Sequence, residues 1–566
     1  VKYTIWQENV VTREAVESIF PLVEQVPLAK MLAQKPWSAP EELADFLHPS
    51  LAHIQSPYLL KDMHIAKKII LDALTTKRTI AVWADYDVDG IVSATIMYET
   101  LKALGCEDII IYFPHREEHG YGLHPEGIAE LHQQGATLLI TVDCGSTNHE
   151  EVNLAKSLGM QVVITDHHHV QEHIPDADAF LNPQQPGCEQ AYKGICGAFV
   201  AWKLCWALQS EDGLVIPSRS REQFPLLALA TVADVVPLLN ENRVVVLEGL
   251  RAVRTTNHIG ILALLQSAGL TQSSLTEYDF SHRIAPRLNA AGRIAHATAS
   301  FRILITKDPV EAKQLAGKLE QLNTERRSIT DRCLLSALEQ AKEHGDTKAL
   351  VVRGKDWPPG IVGLLASRLV DLYAKPALAI GFTADRWVGS ARSLDCFHIT
   401  EALGEVSDYL LGFGGHAKAA GFSMTEASVD IFTQRFLELA ERSLTDEELM
   451  PRLSLDVVLD PKDITGEFFD ALQQLAPFGM GNRKPVFALY GCTLLEKREV
   501  GSTKEHIKLK VAKDGMVFTG IAFGLRSFVE EIVVNDLVDI AFYLETNTWN
   551  GVTTLQLSCV DMRLMQ

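Results

Sequence analysis

Between residues 65 and 165 the chain alternates helix-like stretches with continuous apolar runs. The runs are Ile80-Ala81-Val82-Trp83, Ile109-Ile110-Ile111-Tyr112-Phe113, Leu138-Leu139-Ile140-Thr141-Val142 and Val162-Val163-Ile164-Thr165. Runs of this kind, with helices between them, predict a parallel sheet covered on both faces. Three of the four end in a polar signal. Asp85-Tyr86-Asp87-Val88-Asp89-Gly90 follows the first, Asp143-Cys144-Gly145 the third, and Asp166-His167-His168-His169 the fourth. Parallel strands place their carboxyl ends on one edge, where open α/β sheets bind ligands, so these groups are expected to converge.

Residues 310–344 contain one Gly and no Pro, and their apolar positions recur at three and four (Leu315, Leu319, Leu322, then Leu334, Leu335, Leu338). This predicts one helix about 50 Å long, a connector between two domains. Asn323, Glu325, Arg326 and Arg327 lie mid-way along it and are candidates to face a groove. A second α/β unit follows: a strand at Leu350-Val351-Val352, a helix from Ile361 to Leu372, a strand at Ala377-Leu378-Ala379-Ile380, and Gly389-Ser390-Ala391-Arg392-Ser393 after a third strand. Beyond the turn-rich Leu475–Asn482 come five short strands, at Val486–Leu489, His506–Val511, Val517–Phe523, Val538–Leu544 and Thr553–Val560, which suggest a small β-barrel of OB type. Trp549, beside Asn550-Gly551, is expected in a hairpin turn, either stacking a base or capping the barrel. Residues 1–50 read as a short helical preface without chemistry, one helix starting at Ser38-Ala39-Pro40.

Composition narrows the class. At 566 residues and 47% hydrophobic, the chain can bury several cores; its net charge of −20 argues against a generally basic nucleic-acid coat but not against a local basic groove. The nine cysteines form no C-x-x-C pair, which indicates neither a zinc ribbon nor a disulfide scaffold and fits a reducing cytoplasm. No apolar run has membrane-spanning length, and Val1-Lys2-Tyr3-Thr4-Ile5-Trp6 lacks a signal-peptide core. The chain starts at Val, so at least an initiator Met is expected to precede it.

The alternate carboxylates Asp85, Asp87 and Asp89 repel one another unless a cation sits between them, and a hard divalent ion is the simplest such cation. An EF-hand loop opens the same way but needs Glu at its twelfth position, where Ile96 stands. Asp234 follows the apolar run Leu226–Ala233; taken alone, it is more often a helix cap than a ligand. From Ser281 to Lys307 there are Arg283, Arg287, Arg293, Arg302 and Lys307, with no Asp or Glu. Arg287-Leu288-Asn289-Ala290-Ala291-Gly292-Arg293 has small residues that would let a phosphate backbone approach; the alternative is a buried Arg network joining domains.

The ordered set Asp85-x-Asp87-x-Asp89-Gly90, Asp143, Asp166-His167-His168 and Asp234 resembles the four motifs of the DHH phosphoesterase superfamily. Gly414-Gly415-His416-Ala417-Lys418-Ala419-Ala420-Gly421 resembles the hallmark of its companion DHHA1 domain, whose glycines expose backbone N–H groups to anions. With the OB-type tail, the order is similar to that of the RecJ family of single-strand-specific exonucleases, from about residue 50 to the end.

The resemblance implies an α/β fold: a parallel-sheet DHH domain and a smaller α/β DHHA1 domain joined by a long helix, with a C-terminal OB-type barrel. The expected limits are 1–50, 51–307, 308–345, 346–450 and 451–566. It implies two divalent cations, Mn²⁺ or Mg²⁺, held by Asp85, Asp87, Asp89, Asp143, His167 and Asp234, with Asp143 bridging. Asp166 and His168 would be catalytic, His168 facing the scissile phosphate. Arg116, Arg287, Asn289, Arg293, Ser390, Arg392, Gly414, Gly415 and His416 would bind substrate; Ser390 and Arg392 would hold a 5′-phosphate, Arg116 closing the pocket from the opposite wall. The alternative for Arg392 is a surface pair with Asp395.

The implied activity is 5′-to-3′ hydrolysis of single-stranded DNA to mononucleotides in repair and recombination. Single-strand-binding protein and a helicase are the expected partners, and a monomer the expected state. The alternative is a DHH–DHHA1 phosphodiesterase of short oligonucleotides or cyclic dinucleotides. Two departures from the family pattern stand out. Trp83 occupies a position where several members carry His, and Pro358 follows Trp357 where His is frequent.

Overall fold

The computed structural model describes residues 2–35, 37, 39–116, 120–383, 385–502, 504–549 and 551–565, Trp549 by its backbone alone. Ser38, Asn550 and the Trp549 side chain, on which sequence expectations fell, lie outside the described residues. The chain forms two compact units, one of residues 49–444 with 479–482, the other of residues 1–48, 445–478 and 483–566.

In the first unit the strands Thr79–Ala84, Ile109–Tyr112, Ala136–Val142, Gln161–Thr165 and Ala179–Leu181 form an all-parallel sheet. In space Ile109–Tyr112 is at one edge, then Thr79–Ala84, Ala136–Val142, Gln161–Thr165 and Ala179–Leu181. The strand order reverses between Thr79–Ala84 and Ala136–Val142, which makes their carboxyl ends the switch point. Successive side chains serve opposite faces. Ile80, Val82, Leu138 and Ile140 enter the large core under the helices Val88–Ala103, Gly197–Gln209 and Phe224–Ala233. Ala81, Trp83 and Leu139 enter a smaller one with Ile128 and Val152 of the helices Pro125–Gln133 and His149–Ser157. Trp83 is fully buried, its ring edge-on to His124, so it packs the core rather than reaching the sheet edge.

The helix Pro309–Glu343 has 35 residues and joins the two α/β layers. Leu315, Ala316 and Leu319 belong to the first core, Cys333, Ala337 and Ala341 to the second. The second layer has the strand order Gly412–His416, Ala419–Met424, Trp387–Arg392, Ala377–Phe382, Leu350–Gly354. Only the last pair is parallel. One expectation is corrected here. Gly389–Arg392 lies within the third strand rather than after it, because Gly389 and Ala391 alternate inward with Ser390 and Arg392 outward. The Gly-rich motif forms a hairpin of the strands Gly412–His416 and Ala419–Met424, with Gly415 at φ 151°.

The second unit holds a closed five-stranded barrel. Phe487–Val500 pairs with His506–Lys513, that with Met516–Ala522, that with Val552–Leu564, that with Leu537–Trp549, which returns to Phe487–Val500. This is the OB arrangement, with a longer first strand than the sequence suggested. Nor is the N-terminal segment only helical. Ile5–Glu8 pairs in parallel with Arg452–Leu455, and buried Asp561 accepts the Lys2 and Tyr3 N–H groups and the Trp6 Nε1–H. Among the described residues no helix is long and apolar enough to cross a membrane.

Candidate metal centre

The loop after Thr79–Ala84 turns directly into the helix Val88–Ala103. Asp87 is its N-cap, its Oδ1 accepting from the Asp89 and Gly90 N–H groups at 2.9 and 3.2 Å. A Cβ at position 90 would stand 2.3 Å from the Asp85 carbonyl oxygen, so only Gly allows this tight entry. Asp89 is buried and accepts the Gly197 and Ala198 N–H groups at 2.6 and 2.9 Å, which fastens it to the start of the helix Gly197–Gln209. Asp143 sits at φ 62°, a left-handed conformation that Asp tolerates better than most residues. Asp234 caps the C-terminus of Phe224–Ala233, and the β-branched Val235 after it is held at φ 60°, a strained geometry of the kind concentrated at functional sites.

These elements bring the four motifs together. His167 Nε2 lies 3.3 Å from Asp143 Oδ1, 3.7 Å from Asp234 Oδ2 and 3.9 Å from Asp89 Oδ2. Three sets of ligand atoms are each compact enough to hold an ion: Asp89, His167 and Asp234; Asp85, Asp87 and Asp143; and Asp143, His167 and His168. Asp143 belongs to both of the last two sets. Asp85 Oδ1, Asp143 Oδ1, Asp234 Oδ2 and His167 Nε2 are buried without any hydrogen-bond partner. Buried polar atoms are ordinarily paired, so four orphans around one point fit a set of cation ligands.

The electrostatics agree. Burial pushes the Asp85 carboxyl up to about 8, and the Asp87 charge adds to the push. Asp143 is raised well above the carboxylate range by burial, then by Asp89 and Asp87, and Asp234 likewise. Burial, with the His168 charge, lowers His167 toward the neutral form that ligates metal.

Asp166 stands apart from this set. Its Oδ1 accepts from the His167 N–H at 2.7 Å and His168 Nδ1–H at 2.7 Å, and its Oδ2 from the Ser146 N–H at 2.9 Å. Burial raises its pKa, but the hydrogen bond and charge of His168, with those other contacts, outweigh it and hold the carboxyl below the ordinary range. In return, and against burial, His168 is raised to about 9. Asp166 therefore orients His168 rather than serving as a ligand. Tyr121, which the sequence reading did not single out, has its hydroxyl 3.0 Å from His168 Nδ1 and donates to the Asp143 carbonyl at 3.1 Å. Its signal was its place five residues after Arg116 in the same loop.

The arginines divide. Arg287 is buried, its Nε donating to Glu320 Oε2 at 2.5 Å and its Nη1 to the Arg283 carbonyl. It joins the helix Ala285–Ile294 to the connector, which fits the buried-network alternative for this arginine. Asn289 turns inward too, its Oδ1 accepting the Val88 N–H at 3.0 Å, so it braces the loop that carries Asp85 and Asp87. Of the connector residues, Asn323 is buried and accepts from Arg326 Nη2 at 3.1 Å.

Arg293, Arg116 and Arg392 do gather. Arg116 lies over the Tyr86 ring at 5.0 Å. Burial, then the charges of Arg116 and Arg326, lowers Arg293 to about 10; burial, then Arg116, lowers Arg392. Arg392 Nη1 donates to Ser390 Oγ at 2.8 Å, while Asp395 pairs with Lys418 instead. Across the sheet Ser390 is in register with Gly421 and Gly414, and Arg392 with Ala419 and His416. With no side chain at 414 or 421, this half-open face is a shallow floor beside the guanidinium of Arg392.

Three family models match in chain order: the DHH family N-terminal domain over residues 79–231, the DHHA1 domain over 346–445 and the RecJ OB domain over 455–561. The fold and the cluster thus define a phosphoesterase of the DHH–DHHA1 class. The single-stranded-DNA-specific exonuclease RecJ of Bacillus subtilis (strain 168) is 34% identical over 560 residues, 98% of this chain and 70% of that protein. RecJ of Escherichia coli (strain K12) is 33% identical over 518 residues, 88% of this chain and 89% of that protein. A crystal structure of RecJ from Thermus thermophilus in complex with Mn²⁺ superposes with a TM-score of 0.84 at 29% identity, covering 99% of this chain and 80% of that one. The chain belongs to the RecJ family of single-stranded-DNA-specific exonucleases. A second structure of the Thermus protein holds Mg²⁺, with a TM-score of 0.79 at 28% identity, covering 99% of this chain and 79% of that one.

Proposed function

We propose that this chain hydrolyses single-stranded DNA from its 5′ end and releases 5′-mononucleotides, in DNA repair and recombination. The observation that carries this reading is the cluster of four orphaned ligand atoms at the sheet's switch point. The arginines Arg116, Arg293 and Arg392 of the same unit add the means to read an end. Asp89, His167 and Asp234 would hold one divalent cation, Asp85 and Asp87 the other, and Asp143 both; Mn²⁺ or Mg²⁺ suits five carboxylates and one imidazole. Such a pair supplies Lewis acidity toward the phosphate and a more acidic bound water.

The protein's own groups do the rest. Asp166 holds His168 as an imidazolium facing the scissile phosphate, where its charge opposes the charge that builds on the oxygens. Ser390, Arg392 and Arg116 receive the terminal phosphate, which an internal position lacks. Arg293 holds the strand's backbone, and Gly414, Gly415 and His416 give it a floor. Further expectations are a monomer, contacts with single-strand-binding protein and a helicase, and a cytoplasmic location, the last supported by nine free thiols.

The test compares three substrates: a 5′-phosphorylated single strand several tens of nucleotides long, a dinucleotide and a cyclic dinucleotide. Stepwise release of mononucleotides from the long strand, lost in Asp143→Ala while strand binding persists, is the expected result. Turnover confined to the two small substrates would overturn it.

A further inference from the structure

A second cleft, of about 720 Å³, opens at the far ends of two helices that carry metal-centre residues. The helix Val88–Ala103 starts at Asp87 and Asp89 and runs into the cleft wall with Tyr98, Glu99 and Lys102. The helix Phe224–Ala233 ends at Asp234 and starts at the cleft with its N-cap Gln223. Along the first helix Asp89 and Lys102 are about 20 Å apart, at roughly 1.5 Å per residue. The cleft is therefore separate from the metal centre but shares its framework.

Its lining has the chemistry of a ligand site. Lys102, Arg219 and Lys307 face it with Glu99 and Glu222, an excess of cations in a chain of net charge −20. Lys307 is paired with Glu99 at 3.1 Å, while exposed Arg219 meets no carboxylate among the described residues. Gln223 is 3% exposed; its Nε2 donates to the Ile96 carbonyl at 3.4 Å and Thr100 Oγ1 at 3.5 Å, and its Oε1 has no partner. That oxygen is buried too deeply for a ligand to reach, so the carboxamide serves as wall. Half-buried Tyr98 adds an aromatic surface. The volume lies within the usual range of small-molecule sites, about 300–1,000 Å³.

We infer that this cleft binds a nucleoside 5′-monophosphate. The phosphate meets Arg219 and Lys102, and the base packs along Tyr98. A ligand spanning both helices biases the spacing of Asp87 and Asp89 against Asp234, so it couples to the metal centre. Mononucleotides are also the product class of the reaction proposed above. The regulatory consequence rests on that reading; the binding does not.

The experiment is calorimetric titration of the full chain with dAMP in EDTA, beside deoxyadenosine and inorganic phosphate. The variants are Arg219→Glu and Lys102→Glu, both at exposed positions, and Arg392→Ala on the second α/β layer. We expect dAMP to bind more tightly than either fragment, and each cleft variant to weaken it about tenfold, the loss of one charge-assisted contact. Arg392→Ala should leave this binding in place. Binding unchanged in both cleft variants, abolished by Arg392→Ala, or matched by phosphate alone would overturn the assignment. Where cleavage is measurable, added dAMP should change the wild-type rate and leave that of Arg219→Glu unchanged, the two being equal without it. A chain that cleaves no DNA would still report through the titration.

Discussion

Gly197 approaches Asp143 so closely that a Cβ at position 197 would stand 2.5 Å from Asp143 Oδ1, while the Gly197 N–H donates to Asp89 Oδ2 at 2.6 Å. One backbone position thus sets the distance between two of the candidate ligands. Gly197→Ala must push Asp143 aside or pull the helix start away from Asp89. The expected outcome is an unchanged far-ultraviolet circular dichroism spectrum with Mn²⁺ affinity lowered about 10- to 100-fold, the range for losing a group that orients a ligand. Titration with Mn²⁺ reads it directly.

Asp85 makes metal-free stability depend on pH. An unfolded chain releases its proton near 4, whereas the folded carboxyl holds it up to about 8. Below pH about 4 both states are protonated, and the stability linked to this group is fully present. As pH rises from there toward 8, the folded state keeps a proton that the unfolded state has lost, so stability falls and then levels off. Thermal melting in EDTA between pH 6 and 9 should show a decline that Asp85→Asn flattens. Adding Mn²⁺ should remove the decline, because a cation takes the proton's place.

Arg287 and Arg293 lie on one helix and should behave oppositely. Arg287→Ala breaks a pair whose side chains are 9% and 35% exposed. It should cost about 2 kcal/mol, less than the roughly 3–5 of a fully buried pair, with the salt dependence of strand binding unchanged. Arg293→Ala should reduce the slope of log affinity against log salt by about 0.7, one phosphate contact to a single strand. Melting curves and salt-titrated binding separate the two.

Arg392 is expected to carry the choice of end. Arg392→Ala should erase the preference for a 5′-phosphate over a 5′-hydroxyl and leave Mn²⁺ binding as it was. Paired rates on the two substrates decide it. A variant that slows both equally, with the preference intact, would place end recognition elsewhere.

Much of this was readable along the chain, because local chemistry decides it. Apolar runs such as Leu138–Val142, short and set between helix-like stretches, read as buried strands, and the helix after Asp308 follows from a 3.6-residue period over 35 residues. The spacing of Asp85, Asp87 and Asp89 called for a cation whatever the fold. The three-residue strand Ala179–Leu181 was too short to register, and Ile5–Glu8 finds its partner more than four hundred residues away. Nothing local distinguishes Arg287 from Arg293; the difference is that Glu320 of the connector meets only the first. Asp166 and Asp143 look alike at strand ends, yet one is filled by N–H donors from Ser146, His167 and His168 while the other keeps a bare oxygen. The sequence names the groups that can ionise, but which of them remain unpaired depends on donors brought from distant segments, and only the tertiary structure sets those.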